Sequence, residues 1–237
     1  MTAPQTHEIT VAIAPKSLAT LIDLGASLYA LPAFQTSNHT GRPLVVQAIS
    51  PLSPTVAIRW TEIYQGFVSR TALSDGLTNP VKRTIVAGST SPARLGQVLT
   101  VSETLEFVPT NNGTDGAITM RTDQPGPLSC GIAYGDEFRL SCALTLAPGI
   151  EAVIVPVQSL FLMFSTSQFE VGAWVEQSSG EGLLVTMANV AARTVTFDQS
   201  ATPPWREASN AWAQLVAAGE SLPNLLRRIP PSNTPRK

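Results

Sequence analysis

Residues 8–14 set Ile9, Val11 and Ile13 against Glu8, Thr10 and Ala12, the two-residue rhythm of a strand with one buried face. Ser17 then stands where it can cap a short helix carrying Leu18, Leu21 and Ile22 on one side, and Gly25 is placed to end it. Ala26 to Phe34 reads as a second strand. From there to Phe197 short β-prone runs alternate with clusters of Gly, Pro, Asn and Ser. They fall at 44–49, 56–60, 81–87, 98–101, 104–108, 117–121, 130–134, 138–144, 152–155, 160–164, 169–177, 183–187 and 193–197. Such spacing predicts a mainly β fold: an antiparallel β-sandwich, as one large unit or two abutting ones, with a short N-terminal helix. The turn-rich stretch Pro109-Thr110-Asn111-Asn112-Gly113-Thr114-Asp115-Gly116 is the expected seam between an N-terminal β half, residues 1–110, and a C-terminal β half, residues 117–200.

Residues 201–237 differ in kind. Thr202-Pro203-Pro204 resembles a cap followed by prolines at a first helical turn, after which Trp205, Ala208, Trp212, Leu215 and Val216 share one helical face. The expectation is a C-terminal amphipathic helix ending near Gly219. A shorter apolar stretch, 222–229, carries Arg227 and Arg228 near its end, where cations suit a helix dipole. Beyond Pro230-Pro231 the end is expected to be disordered.

Composition narrows the classes. Of 237 residues 43% are hydrophobic and 14% charged, the balance of a chain that folds. The net charge is −2 and no stretch gathers Lys and Arg into a phosphate-binding strip, which argues against a nucleic-acid partner. Residues 1–8 lack a basic start and an apolar run, so a cytoplasmic location is expected. The most apolar window, 150–164, is broken by Glu151, Pro156, Gln158 and Ser159, too often for a membrane-spanning helix.

Cys130 and Cys142 flank Tyr134-Gly135-Asp136-Glu137-Phe138. A three-residue loop centred on Asp136 would pair 134 with 138 and bring the thiols face to face, close enough for a disulfide after slight adjustment. A two-residue loop would break that register. Without an export signal, two buried, reduced thiols are the simpler reading.

Signatures of familiar chemistry are missing. His7 and His39 lie near a terminus and in a loop, where a histidine is usually solvated, and no metal-ligand spacing, nucleophile elbow or phosphate loop occurs. No cofactor or metal is expected. Two stretches instead set aromatic rings beside a lone carboxylate. In Trp60-Thr61-Glu62-Ile63-Tyr64-Gln65, Trp60, Glu62 and Tyr64 share a face if the segment is extended; in 173–177 Trp174 and Glu176 do the same. Trp60, Tyr134 and Trp174 are the candidate ligand-binding residues, and Glu62, Tyr64 and Glu176 the candidate catalytic ones. The plain alternative makes each Trp half core and each Glu a solvated neighbour.

Three segments, Ile9-Thr10-Val11 with Lys16-Ser17-Leu18, then 60–65, then Phe161 through Gln177, resemble a loosely defined group of uncharacterised small microbial β-rich proteins. The resemblance spans most of residues 8–197. It implies a shared β architecture and carries no activity or site residue with it.

Sparse catalytic groups and abundant aromatic and apolar sheet residues favour a non-enzymatic binding or assembly protein that recognises a small apolar molecule, a glycan or a protein partner. One alternative is an unconventional, cofactor-independent cyclase or isomerase acting on an apolar substrate in a hydrophobic cavity. Another is a membrane-active β protein, lipid-binding or pore-forming, with the tail at the interface. Edge strands make a homodimer plausible.

Overall fold

The structure, a computed structural model, describes residues 4–36, 38–70, 89–135, 137 and 139–228. It opens with β1 (Thr6–Ile13), α1 (Pro15–Asp23), β2 (Ser27–Thr36), β3 (Arg42–Pro43), β4 (Gln47–Ile49), β5 (Thr55–Thr61) and β6 (Tyr64–Ser69). Next come β7 (Ser89–Ala93), β8 (Gln97–Val101), β9 (Phe107–Thr110), β10 (Ile118–Thr122), β11 (Leu128–Tyr134) and β12 (Arg139–Leu146). The chain continues through β13 (Ala152–Ser165), β14 (Gly182–Thr186), β15 (Ala192–Phe197), a 3-10 turn (Arg206–Ser209), β16 (Ala213–Val216), α2 (Leu222–Leu226) and β17 (Arg227–Arg228). The expected strand at 81–87 and the expected disordered end lie outside the described residues.

The chain is mainly β, with antiparallel pairing dominant in three sheets. In the smallest, β1 lies between β15, which is parallel to it, and the antiparallel β5. An antiparallel sheet runs in the order β3-β12-β11-β6-β7. The nine-stranded sheet is organised by β13, which pairs with β2 along one edge and with β14 and β10 along the other. The runs 152–155 and 160–164 are thus one strand, whose register with β2 shifts between Pro156 and Leu160. Proline has no N–H to give to a ladder, so an irregularity there is where one is expected.

Alternation explains the layering. Leu28, Ala30, Leu160, Leu162, Leu183 and Val185 turn to one face of the nine-stranded sheet and bury against Ile9, Val11, Ile58 and Val195 of the three-stranded sheet. Farther along, Ile118, Met120 and Ile154 meet Ile132, Cys142 and Leu144 of the five-stranded sheet. Residues of opposite parity, Tyr29, Leu31, Phe161 and Leu184, pack with Leu222 and Leu226 of α2. β2, β13 and β14 are buried on both sides, which is why they read as apolar runs rather than as alternation. Of the turn-rich stretch 109–116, Pro109 and Thr110 end β9, and residues 111–117 join it to β10, which returns to lie parallel to β8.

Several local expectations give way. α1 begins after Ala14 without a side-chain cap; Ser17 lies inside it, buried, and its hydroxyl accepts the Gln199 amide. Gly25 does end α1, at φ +65°, with its N–H on the Ile22 carbonyl and that of Ala26 on Leu21, the pairing that a left-handed residue makes possible. Ile22 is exposed rather than packed.

Residues 205–216 are not an amphipathic helix: a 3-10 turn leads into β16, which pairs with β14. Trp205 is buried between Phe164 and Phe197, so its spacing from Trp212 reflects one anchoring ring and not a helical stripe. The stretch 222–229 keeps one helical turn, while Arg227 and Arg228 pair with β2 instead of capping it. Residues 169–177 form no strand; Trp174 and Gln177 make only single bridges.

The thiols do not face each other. Tyr134 pairs with Arg139, and a bulge between Ile132 and Ala133 moves the register further, so that Cys130 opposes Leu144 and Cys142 opposes Ile132. Both are free and fully buried. Burial pushes the Cys142 thiol up to about 12 and raises that of Cys130 as well. Neither is therefore expected to react with an aromatic disulfide reagent at pH 8 in the native protein, whereas two equivalents should be released in denaturant; a fast native reaction would contradict the burial.

Candidate functional site

A cleft of about 820 Å³ opens where the three sheets meet. One wall is β5, the outer strand of the three-stranded sheet. Opposite it stand β4 and the preceding Val46, with Pro32 and Leu160 from the nine-stranded sheet beneath. The turn after β11 closes one side with Tyr134, Gly135, Glu137 and Arg139. Gln47, buried, spans the cleft and donates from Nε2 to the Arg59 carbonyl at 2.9 Å. Arg59 pairs with Glu8, and Arg139 with Glu137. The Arg59 guanidinium and the Thr10 hydroxyl hold the Glu8 carboxyl below its ordinary range.

Of the residues singled out from sequence, Trp60 and Tyr134 both line this cleft. They come from different sheets, so nothing local in the chain announces the meeting. Tyr64 packs beside Tyr134, with ring centroids 5.4 Å apart. Burial raises both phenols, and the neighbouring Glu62 pushes in the same direction, so each ring offers a hydroxyl donor and not a phenolate. Trp60, Glu62 and Tyr64 do not lie along one extended face. β5 ends at Thr61, β6 begins at Tyr64 in another sheet, and Glu62 sits in the bend between them.

Glu62 is half of a pair that sequence reasoning missed. His7, set aside as a residue near a terminus, is completely buried and stacks on Trp60 at 5.2 Å. Its Nδ1 lies 3.1 Å from the Val190 carbonyl and its Nε2 lies 3.0 Å from Glu62 Oε1, which also accepts from Gln158 Nε2 at 2.7 Å. The carbonyl only accepts, so Nδ1 is the donor to Val190 and Nε2 faces the Glu62 carboxyl group. Through its stacking on the Trp60 ring, His7 links this pair to the cleft. The alternation in β1 was the available signal, because His7 has the parity of Ile9, Val11 and Ile13.

Trp174 and Glu176 lie elsewhere. Trp174 packs against the outer face of the five-stranded sheet with Leu44, Phe67 and Leu140, and Glu176 pairs with Arg42 at 3.3 Å. Neither lines the cleft. Among the described residues, no group of three or more His, Cys, Asp or Glu is placed to hold a metal ion, and no helix is long and apolar enough to cross a membrane. Comparison of the chain with family models, with curated proteins and with solved structures finds no match.

Proposed function

We propose that this is a binding protein, built on β-sandwich layers, whose cleft at the three-sheet junction takes up an apolar small molecule, a glycan or a segment of a protein partner. The observation that carries this reading is the convergence of Trp60 and Tyr134, from separate sheets, on one cleft with an apolar floor. Flat aromatic faces beside a few placed polar groups are how recognition sites gain both affinity and orientation. Gln47, Arg59 and Arg139 supply the polar groups.

Anilinonaphthalene sulfonate serves as a first probe. Saturable binding is expected, with Trp60→Ala weakening it about tenfold or more and Trp174→Ala leaving it unchanged. Equal affinity in the wild type and Trp60→Ala would remove the cleft from consideration. The competing reading, a cyclase or isomerase, has the close His7–Glu62 pair in its favour. It also requires Glu62 to reach the substrate, and Glu62 is absent from the lining of the cleft.

A further inference from the structure

We infer that the occupant of the cleft is an extended peptide segment that adds to β5 as a fourth strand of the smallest sheet. The inference rests on the binding reading above and names its ligand class.

The Glu62 amide donates to the Gln5 carbonyl and the Ile13 amide to the Pro54 carbonyl. In an antiparallel ladder, bonding to one neighbour alternates residue by residue, so the even positions 54–62 turn their backbone groups toward β1. Ala57, Arg59 and Thr61 therefore point theirs away from β1 and into the cleft. Two of these outward groups are engaged: Ile63 donates to the Thr61 carbonyl, and Gln47 Nε2 donates to that of Arg59. Among the described residues no backbone partner meets the N–H groups of Ala57, Arg59 and Thr61 or the Ala57 carbonyl.

Three main-chain N–H groups at two-residue intervals, with the Ala57 carbonyl among them, are matched by another main chain more fully than by a glycan or a compact small molecule. Gln47 marks the position, because its side-chain amide occupies the place on Arg59 that a strand N–H would take, and an incoming strand displaces it. The floor below the row, Pro32, Val46 and Leu160, is apolar and would receive every second side chain of the incomer. Arg59 is paired with Glu8 and Arg139 with Glu137, so the lining is balanced in charge and it is the alternation of apolar side chains that selects the segment. The row lies within a cleft also lined by β4, Gly135 and Glu137, a recess that suits a single extended segment.

The test is a selection from random seven-residue peptides on the full chain. Peptides with apolar residues at alternate positions should be enriched. N-methylation along the best peptide should abolish binding at every second amide and spare those between, since only alternate amides face β5. Ala57→Pro removes one outward N–H while leaving the ladder to β1 intact, and is expected to weaken that peptide about threefold to tenfold with unchanged circular dichroism. Enrichment of nothing, a methylation profile without a two-residue period, or a folded Ala57→Pro protein that binds as tightly as the wild type would each overturn the inference. Loss of the inference together with retained, Trp60-dependent dye binding would leave the broader binding reading standing. A dimer in sedimentation that Ala57→Pro dissociates would assign the edge to a second copy and also overturn it.

Discussion

Replacing Trp205 with alanine is expected to destabilise the protein by about 3–5 kcal/mol, the cost of emptying a large, fully enclosed aromatic site. The ring has no exposed surface and stacks on Phe164 at 5.7 Å while meeting Phe197 edge-on at 5.0 Å. Phe164 belongs to β13 and Phe197 to β15, so the indole joins the nine-stranded sheet to the three-stranded one. Its Nε1 donates to the Glu181 carbonyl at 3.3 Å, and alanine leaves that group without its bond. For a chain of this size the thermal midpoint should fall by about 6–20 °C, measured by differential scanning calorimetry. Trp205→Phe should recover part of the loss by refilling the volume without the N–H. A fall below 2 °C for the alanine variant would show that the ring is not the anchor its burial indicates.

Gly131→Ala is expected to cost about 3 kcal/mol or more, at the upper end of overpacking effects. A Cβ at this position would lie 1.8 Å from the Cys142 carbonyl oxygen and 2.8 Å from the Phe67 ring. Phe67 is itself fully buried, and the carbonyl belongs to the β11–β12 ladder and cannot move without breaking its pairing. Gly25→Ala is the informative contrast, because nothing lies within 4 Å of its Cβ and only its positive φ opposes substitution. That strain is worth about 1–2 kcal/mol. Urea unfolding of the two variants separates a steric clash from a torsional cost, and a smaller loss at Gly131 than at Gly25 would refute the clash.

How much of this was legible from sequence depends on how local each feature is. The β rhythm of Ile9, Val11 and Ile13, the glycine that ends α1, and most strand positions rest on neighbours within a few residues, and they are readable. β6 and β7 were not anticipated: Tyr64–Ser69 is buried at nearly every position, and Ser89–Ala93 is mostly polar, so neither shows a sequence in which apolar and polar residues take turns. The tail misled because Trp205, Trp212 and Val216 meet a helical period by chance, while tertiary packing on Phe164 and partnership with β14 decide their conformation. The cysteine register failed through one extra loop residue and a bulge, details below the resolution of turn propensities. Trp60 and Tyr134 could be chosen as aromatic candidates, but their convergence depends on how three sheets pack. His7 was missed for the opposite reason: position near a chain end says little about burial once the strand that carries it is central.

The parallel pairing of β1 with β15 sets a timetable for synthesis. Glu8 stands opposite Ala192, so roughly 180 residues must emerge before that side of the first strand finds its neighbour. At about 5–20 residues per second the wait is roughly 10–40 s, during which a strand rich in Ile and Val offers an open border to any passing chain. A nascent polypeptide stalled after β5 should therefore be sticky, and one extended past Phe197 should not.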